Sequence, residues 1–262
     1  MAIFIILLLL LLVLLSSAEA ASGALRVPKL RWHQWFFLFL SSAFLGCLFE
    51  MGVVWLGTGV LMSRSSLLYG AISVVWGLGA VLMTLVLAPL RRYGKWAVFG
   101  GGVILGGGFE YLTSLVLERV FHRLFWDYSH LPLNLDGRTN LLYAVFWGLA
   151  GVLWVYWLAP YLLRLAEKVP RKSGQAIFAG LAVLLALDML LSAAAFWRME
   201  ERSRGSVPSN HLEYMLDTWY DDQAMQQRYQ NMELPHSVSF PIKRQRTIRG
   251  MVLCLFIGKE VV

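Results

Sequence analysis

Cysteine is nearly absent: Cys47 and Cys254 are the only two in 262 residues. That excludes a disulfide framework and any Cys-based zinc spacing, and leaves the redox compartment unread. Charge is also scarce, at 15% Asp, Glu, Lys and Arg, against about 25% in soluble domains. No stretch shows the alternating pattern of strands. There is no G-x-x-x-x-G-K-[ST] loop, so these residues do not hydrolyse ATP by that machinery. There is no G-x-S-x-G elbow or Ser-His-Asp pattern either. His122 and His130 lie eight residues apart with no Cys between them, which is a poor metal signature. No metal and no cofactor is expected.

Apolar sequence is abundant: 58% of residues are hydrophobic and the mean hydropathy is +0.61. About 20 apolar residues cross a bilayer as a helix. Six segments qualify, at residues 2–18, 33–56, 67–90, 96–121, 141–163 and 176–197. The expected fold class is all-α: a polytopic transmembrane helix bundle of five or six spanning helices, with an amphipathic helix in the C-terminal tail. The expected division is an N-terminal hydrophobic segment and basic linker (1–32), the bundle (33–198) and a polar tail (199–262). "SSAEAAS" after the first run resembles a cleavage site. However, the first run lacks a basic leader, and Arg26, Lys29 and Arg31 follow it. That order favours an uncleaved anchor with its N-terminus outside.

The net charge of +7 resides mostly in residues flanking apolar segments, so it speaks for membrane topology rather than nucleic acid. Arg26, Lys29 and Arg31, then Arg91, Arg92 and Lys95, then Arg164, Lys168, Arg171 and Lys172 alternate with loops holding only Arg64 or Arg119, Arg123 and Arg138. The rich set is expected in the cytoplasm and the poor set outside. The tail would then be external although it begins with Arg198, Arg202 and Arg204. Within it, Leu212, Met215, Leu216 and Trp219 follow helical spacing, and Ser209 or Asn210 can cap the helix. Such a helix packs on the bundle, lies at the interface or covers an external pocket.

Acids inside apolar segments are costly and need partners. Glu50, Glu110 and Asp188 are such residues. Glu118 follows Glu110 by eight positions, about 80° around a helix and about 12 Å along it. The two can line one broad face without touching. These acids can form an ion, proton or substrate site, or can accept hydrogen bonds from Ser, Tyr or Trp or pair with an Arg. Six glycines within residues 100–108, with Gly148 and Gly151 in the next segment, suit close helix packing.

Residues 121–140, "FHRLFWDYSHLPLNLDGRTN", interrupt the apolar pattern. Pro132 and Gly137 preclude a continuous helix. Asp127 and Arg138 are expected to pair and close the loop. Asn134 can bond turn backbone, and Trp126 and Tyr128 suit the interface. An ordered loop with this many specific side chains is also a candidate binding surface.

"FWDYSHLPLNLDGR" resembles the "WWDYS…fNLxGR" signature of the ABC-transporter type IV permeases, the CmpB-like family. "FLGCLFE" around Glu50, "FEYLTSLVLERVF" and "FWGLAGVLWVYWLAP" resemble it too, as do Asp188 and "YDDQAMQQRYQNMEL". The likeness runs over residues 35–234 and is strongest up to Pro160. "LLYGAISVVWGLGA" lacks two prolines of the family pattern, which leaves the second family helix open in shape. The resemblance implies a bacterial membrane protein of five or six helices. Its matched polar positions are Glu50, Glu110, Tyr111, Glu118, Trp126, Asp127, Tyr128, Asn134, Gly137 and Arg138.

Three functions follow as expectations. The first is a permease-like or transport-associated protein of the cell membrane, with a separate ATPase or envelope protein as partner. The second is a non-catalytic envelope or partner-binding protein. The third is an intramembrane enzyme acting on a lipid or envelope substrate. A water-filled cavity joining Glu50 and Glu110 to both membrane faces in turn favours transport, a dead-end pocket with an acid pair opposite Arg138 favours an enzyme, and a solid bundle favours the partner-binding protein.

Overall fold

A computed structural model describes residues 30–121 and 124–230. The apolar segment at 2–18, the basic residues Arg26 and Lys29, His122 and Arg123 lie outside the described residues. The elements are α1 (Trp32–Thr58), α2 (Val74–Leu87), α3 (Lys95–Phe121), β1 (Asn134–Leu135), β2 (Thr139–Asn140), α4 (Leu141–Leu153), α5 (Ala159–Glu167), α6 (Arg171–Ser203), α7 (His211–Trp219) and α8 (Asp222–Arg228). This is the expected all-α bundle of apolar helices.

Among the described residues, four helical stretches are long and apolar enough to cross a membrane: Trp32–Leu56, Lys95–Phe121, Leu141–Glu167 and Gly174–Ser203. That is fewer than the five or six expected. The segment at 2–18 is outside the described residues, and the one at 67–90 is a helix only from Val74 to Leu87. The cause is local. Gly59 ends α1 in the left-handed region (φ 73°), its N–H donating to the Trp55 carbonyl at 2.8 Å. Residues 60–73 then run back along α1 as irregular chain. By Ser73, whose N–H donates to the Ala43 carbonyl at 2.9 Å, the chain has returned about four helical turns.

Irregular backbone inside an apolar bundle must find partners in the protein. Here serines supply several. Ser65 Oγ accepts from the N–H groups of Leu67 (3.1 Å) and Ile72 (3.3 Å). Ser66 Oγ accepts from Val74 N–H at 3.1 Å. Ser192 Oγ on α6 accepts from Leu68 N–H at 2.9 Å. Arg228 on α8 donates to the carbonyls of Leu67 (2.9 Å) and Gly70 (2.5 Å).

The bundle thus has a basic end, with Arg91, Arg92 and Arg164, and a loop end, with residues 60–66 and 124–140. Toward the basic end it is solid: Leu38, Leu87, Val98, Val152, Val155 and Ala159 are all fully buried. α3 and α4 pack closest, because Gly102 and Gly148 let their backbones meet. A Cβ on Gly102 would lie 2.9 Å from the Gly148 Cα. Between α4 and α5, Trp154–Leu158 widens to a π turn. Pro160 has no N–H to donate to Tyr156, which explains the widening.

At the loop end α6 continues to Ser203 and the chain folds back through α7 and α8. Asn210, one of the two expected caps, accepts from Glu213 N–H at 3.0 Å. Of the apolar residues expected to share one face, only Leu216 is buried; Leu212 and Trp219 are exposed. Charge holds the tail instead. Asp217 accepts from Arg198 at 2.5 Å and Arg202 at 2.6 Å, and Arg202 also reaches Asp222 at 2.8 Å. Below these pairs Met225 and Tyr229 pack on Ala195, Phe196 and Met199.

Candidate functional site

Residues 124–140 close the loop end over α3. β1 and β2 pair antiparallel, Asn134 with Asn140 and Leu135 with Thr139. Of the three residues between them, Asp136 (φ 52°) and Gly137 (φ 67°) are both left-handed, as the tight turn closed by the Arg138 N–H on the Leu135 carbonyl at 3.0 Å demands. A Cβ on Gly137 would also come within 2.6 Å of Asp127 Oδ1, so glycine suits the position on both counts. Asn134 braces the turn, accepting from Gly137 N–H at 2.9 Å and donating to the Leu131 carbonyl at 2.7 Å. Trp126 Nε1 donates to the Arg138 carbonyl at 2.9 Å.

The expected Asp127–Arg138 pair does not form. Asp127 accepts from the N–H (2.8 Å) and hydroxyl (2.9 Å) of Ser129, two residues on. Arg138 instead reaches α3, where it pairs with Glu118 and donates to Ser114 Oγ at 3.3 Å. Short-range capping satisfies Asp127 with little chain ordering, while the longer arginine spans to the helix. The loop is therefore fastened to α3, not to itself. Tyr111 adds a second fastening, donating from its hydroxyl to Asp136 at 2.8 Å.

Below the hairpin lies Glu110, 7% exposed. Its two oxygens accept from the hydroxyls of Tyr128 (3.0 Å) and Thr139 (2.7 Å). No Arg or Lys pairs with it among the described residues. Tyr128 stacks on Tyr143 at 4.4 Å. Burial first, and the Glu110 carboxylate second, push the Tyr128 phenol well above its ordinary range, so it remains a proton donor.

A cavity of about 110 Å³ opens beside this carboxylate. Glu50, Arg64, Glu110, Trp126, Tyr128 and Tyr143 line it together with Phe49, Trp76, Phe146 and Trp147. Glu50 faces Arg64 at 3.0 Å and accepts from Trp76 Nε1 at 2.6 Å. The walls form an aromatic chain: Trp76 lies 5.4 Å from Trp147, and Phe49 lies 5.7 Å from Trp76 and 6.1 Å from Phe146.

Of the residues singled out from sequence, the structure brings Glu50, Glu110, Trp126 and Tyr128 to this cavity. Tyr111, Glu118, Asp127, Asn134, Gly137 and Arg138 build the hairpin above it. Asp188 lies elsewhere, with Tyr69 N–H at 3.3 Å from each carboxylate oxygen and Ser192 Oγ donating at 3.2 Å. Its contacts secure the irregular segment. Sequence reasoning missed Arg64, counted only as a loop charge, and Trp76, which falls in the stretch that departs from the family pattern. Among the described residues no group of three His, Cys, Asp or Glu side chains could hold a metal ion.

A bundle of membrane-length apolar helices, with irregular chain held within it and an aromatic-walled cavity, marks a membrane protein, and the family match gives it a transport-related description. The chain belongs to the family described as "Putative ABC-transporter type IV", whose model matches residues 37–193, more than half of its length. This is the family that the motif at residues 125–138 resembles. Comparison with curated proteins and with solved structures returned no match.

Proposed function

We propose that the chain is the membrane-spanning, ligand-recognising part of a transport system in the bacterial plasma membrane, with its loop end external. One observation carries the reading: the cavity that contains Glu50, Arg64 and Glu110 sits where residues 60–73 leave helical geometry inside the bundle. Transporters place binding sites at such interruptions, because non-helical backbone is tolerated only where protein or a polar cavity receives it. The packed basic end corresponds to one closed state of an alternating path.

Orientation rests on the basic residues that flank α2, α3 and α5. The arginines at the start of the tail run against it: Arg198 and Arg202 are bound to Asp217, and Arg204 to Glu200 at 3.1 Å, while the larger basic clusters lie at the other end. An acid pair opposite Arg138, the arrangement an enzyme would favour, is replaced by the Glu118–Arg138 pair. Energy comes from a separate ATPase, since these residues carry no phosphate loop. Crosslinking in native membranes followed by pull-down tests this directly. A co-purifying ATPase supports the proposal; recovery of folded chain crosslinked only to envelope proteins overturns it.

The partner-binding reading is favoured by one feature, the exposed Leu212, Met215 and Trp219 on one side of α7. That face suits the membrane interface or an envelope protein.

A further inference from the structure

The chemistry of the cavity limits what fits it, given the proposal that this cavity is the ligand site. Its volume of about 110 Å³ is below the roughly 300–1,000 Å³ of pockets for drug-sized molecules, so the occupant is small. Its charges do not balance. The Glu50 carboxylate is matched by Arg64 at 3.0 Å. Glu110, 7% exposed, is met among the described residues by neutral donors, the hydroxyls of Tyr128 and Thr139 and the side chain of Trp147. These satisfy its oxygens as acceptors, but leave a buried carboxylate without a counter-charge, a costly arrangement. The remaining walls are largely aromatic, with Phe49, Trp76 and Trp147 among them. Aromatic faces attract cations and give up little when the cation carries methyl groups instead of N–H donors.

We propose that this cavity binds a small alkylated ammonium ion, seated against the aromatic walls with Glu110 as its counter-charge. The Glu50–Arg64 pair sets the neutral side of the site. An anionic ligand is disfavoured, because Arg64 is already engaged and Glu110 would repel it.

The test uses the purified full chain in detergent, with choline and its uncharged carbon isostere 3,3-dimethylbutanol as probes, followed by calorimetry. Choline is expected to bind at least ten-fold more tightly than the isostere. Glu110→Gln should remove that preference. Phe49→Leu, which keeps apolar volume but removes a ring, should weaken choline several-fold and the isostere little. Thermal melts of both variants show that they are folded, and Phe49→Leu serves if Glu110→Gln is not. Equal affinity for both probes, or a Glu110→Gln variant that keeps the preference, overturns the ammonium assignment and leaves the cavity a ligand site. Absence of binding by both probes overturns the ammonium assignment too. The ATPase pull-down is independent of either result.

Discussion

Glu110 shows how one residue ties the loop to the bundle. Its partners come from different layers: Tyr128 from the start of the hairpin region and Thr139 from its second strand. Thr139→Val keeps the shape and removes one donor from a buried carboxylate. The expected loss is about 1–3 kcal/mol, read as a lower thermal midpoint. Arg138 gives a sharper check, because its partner differs from the one the sequence suggests. Glu118→Gln with Arg138→Met should be clearly less damaging than the sum of the single changes. Asp127→Ala with Arg138→Met should be close to additive, within about 0.5 kcal/mol. Limited proteolysis of the 124–140 loop and thermal melts both report this, and strong coupling of Asp127 to Arg138 would contradict the geometry. The misassignment has a physical source. Opposite charges eleven positions apart in one loop look like partners, but sequence spacing does not show that an arginine can reach a helix passing beneath it. Asp127 had a nearer solution in Ser129. By contrast Gly137 was legible, because a turn between Asn134 and Asn140 with "DG" at its tip has few other conformations.

At the scale of elements, the irregular segment 60–73 and the tail helices support one another. Asp188 and Ser192 on α6 hold backbone N–H groups of Leu68 and Tyr69, while Arg228 on α8 holds carbonyls of Leu67 and Gly70. Asp188→Leu should leave those N–H groups poorly satisfied and raise hydrogen exchange across 68–72, with α3 and α4 unaffected. The tail should be sensitive to acid. Hydrogen bonds from Arg198, then Arg202, hold Asp217 below its ordinary value, and the Ser209 N–H does the same first for Glu213. A lowered folded value means that the contribution is fully present above the unfolded value, near 4, and is lost as pH falls through the lowered folded value. Proteolysis of residues 204–230 should therefore be slow at neutral pH and accelerate only below about pH 4. Asp217→Asn should bring release to neutral pH. Long apolar runs made α1, α3 and α6 readable, because lipid fixes their length. The second family segment was not, since Leu67, Leu68 and Ile72 are as apolar as a helix. What breaks the helix is the left-handed turns at Gly59 and Gly70 and a set of serine contacts from the segment itself and from α6.

For the whole molecule, the proposed function depends on asymmetry along the bundle axis. One end is a packed hydrophobic core and the other holds a polar cavity beneath a fastened hairpin. The apolar composition made the membrane class legible, and the alternating basic clusters supply the proposed orientation. The cavity was half legible: its acids stood out against apolar surroundings, but Arg64, Trp76 and Trp147 meet them only through the return of residues 60–73 and the close approach of α3 to α4. The central claim is that this cavity is reached from the loop end while the basic end is closed. A direct measurement places single cysteines at Val53, on the cavity wall, and at Tyr93, at the basic end, in a chain with Cys47 and Cys254 replaced. Intact cells are then treated with a membrane-impermeant thiol reagent. The account predicts modification at position 53 and none at position 93 until the membrane is opened. Modification at 93 from outside, with position 53 inert, would contradict it.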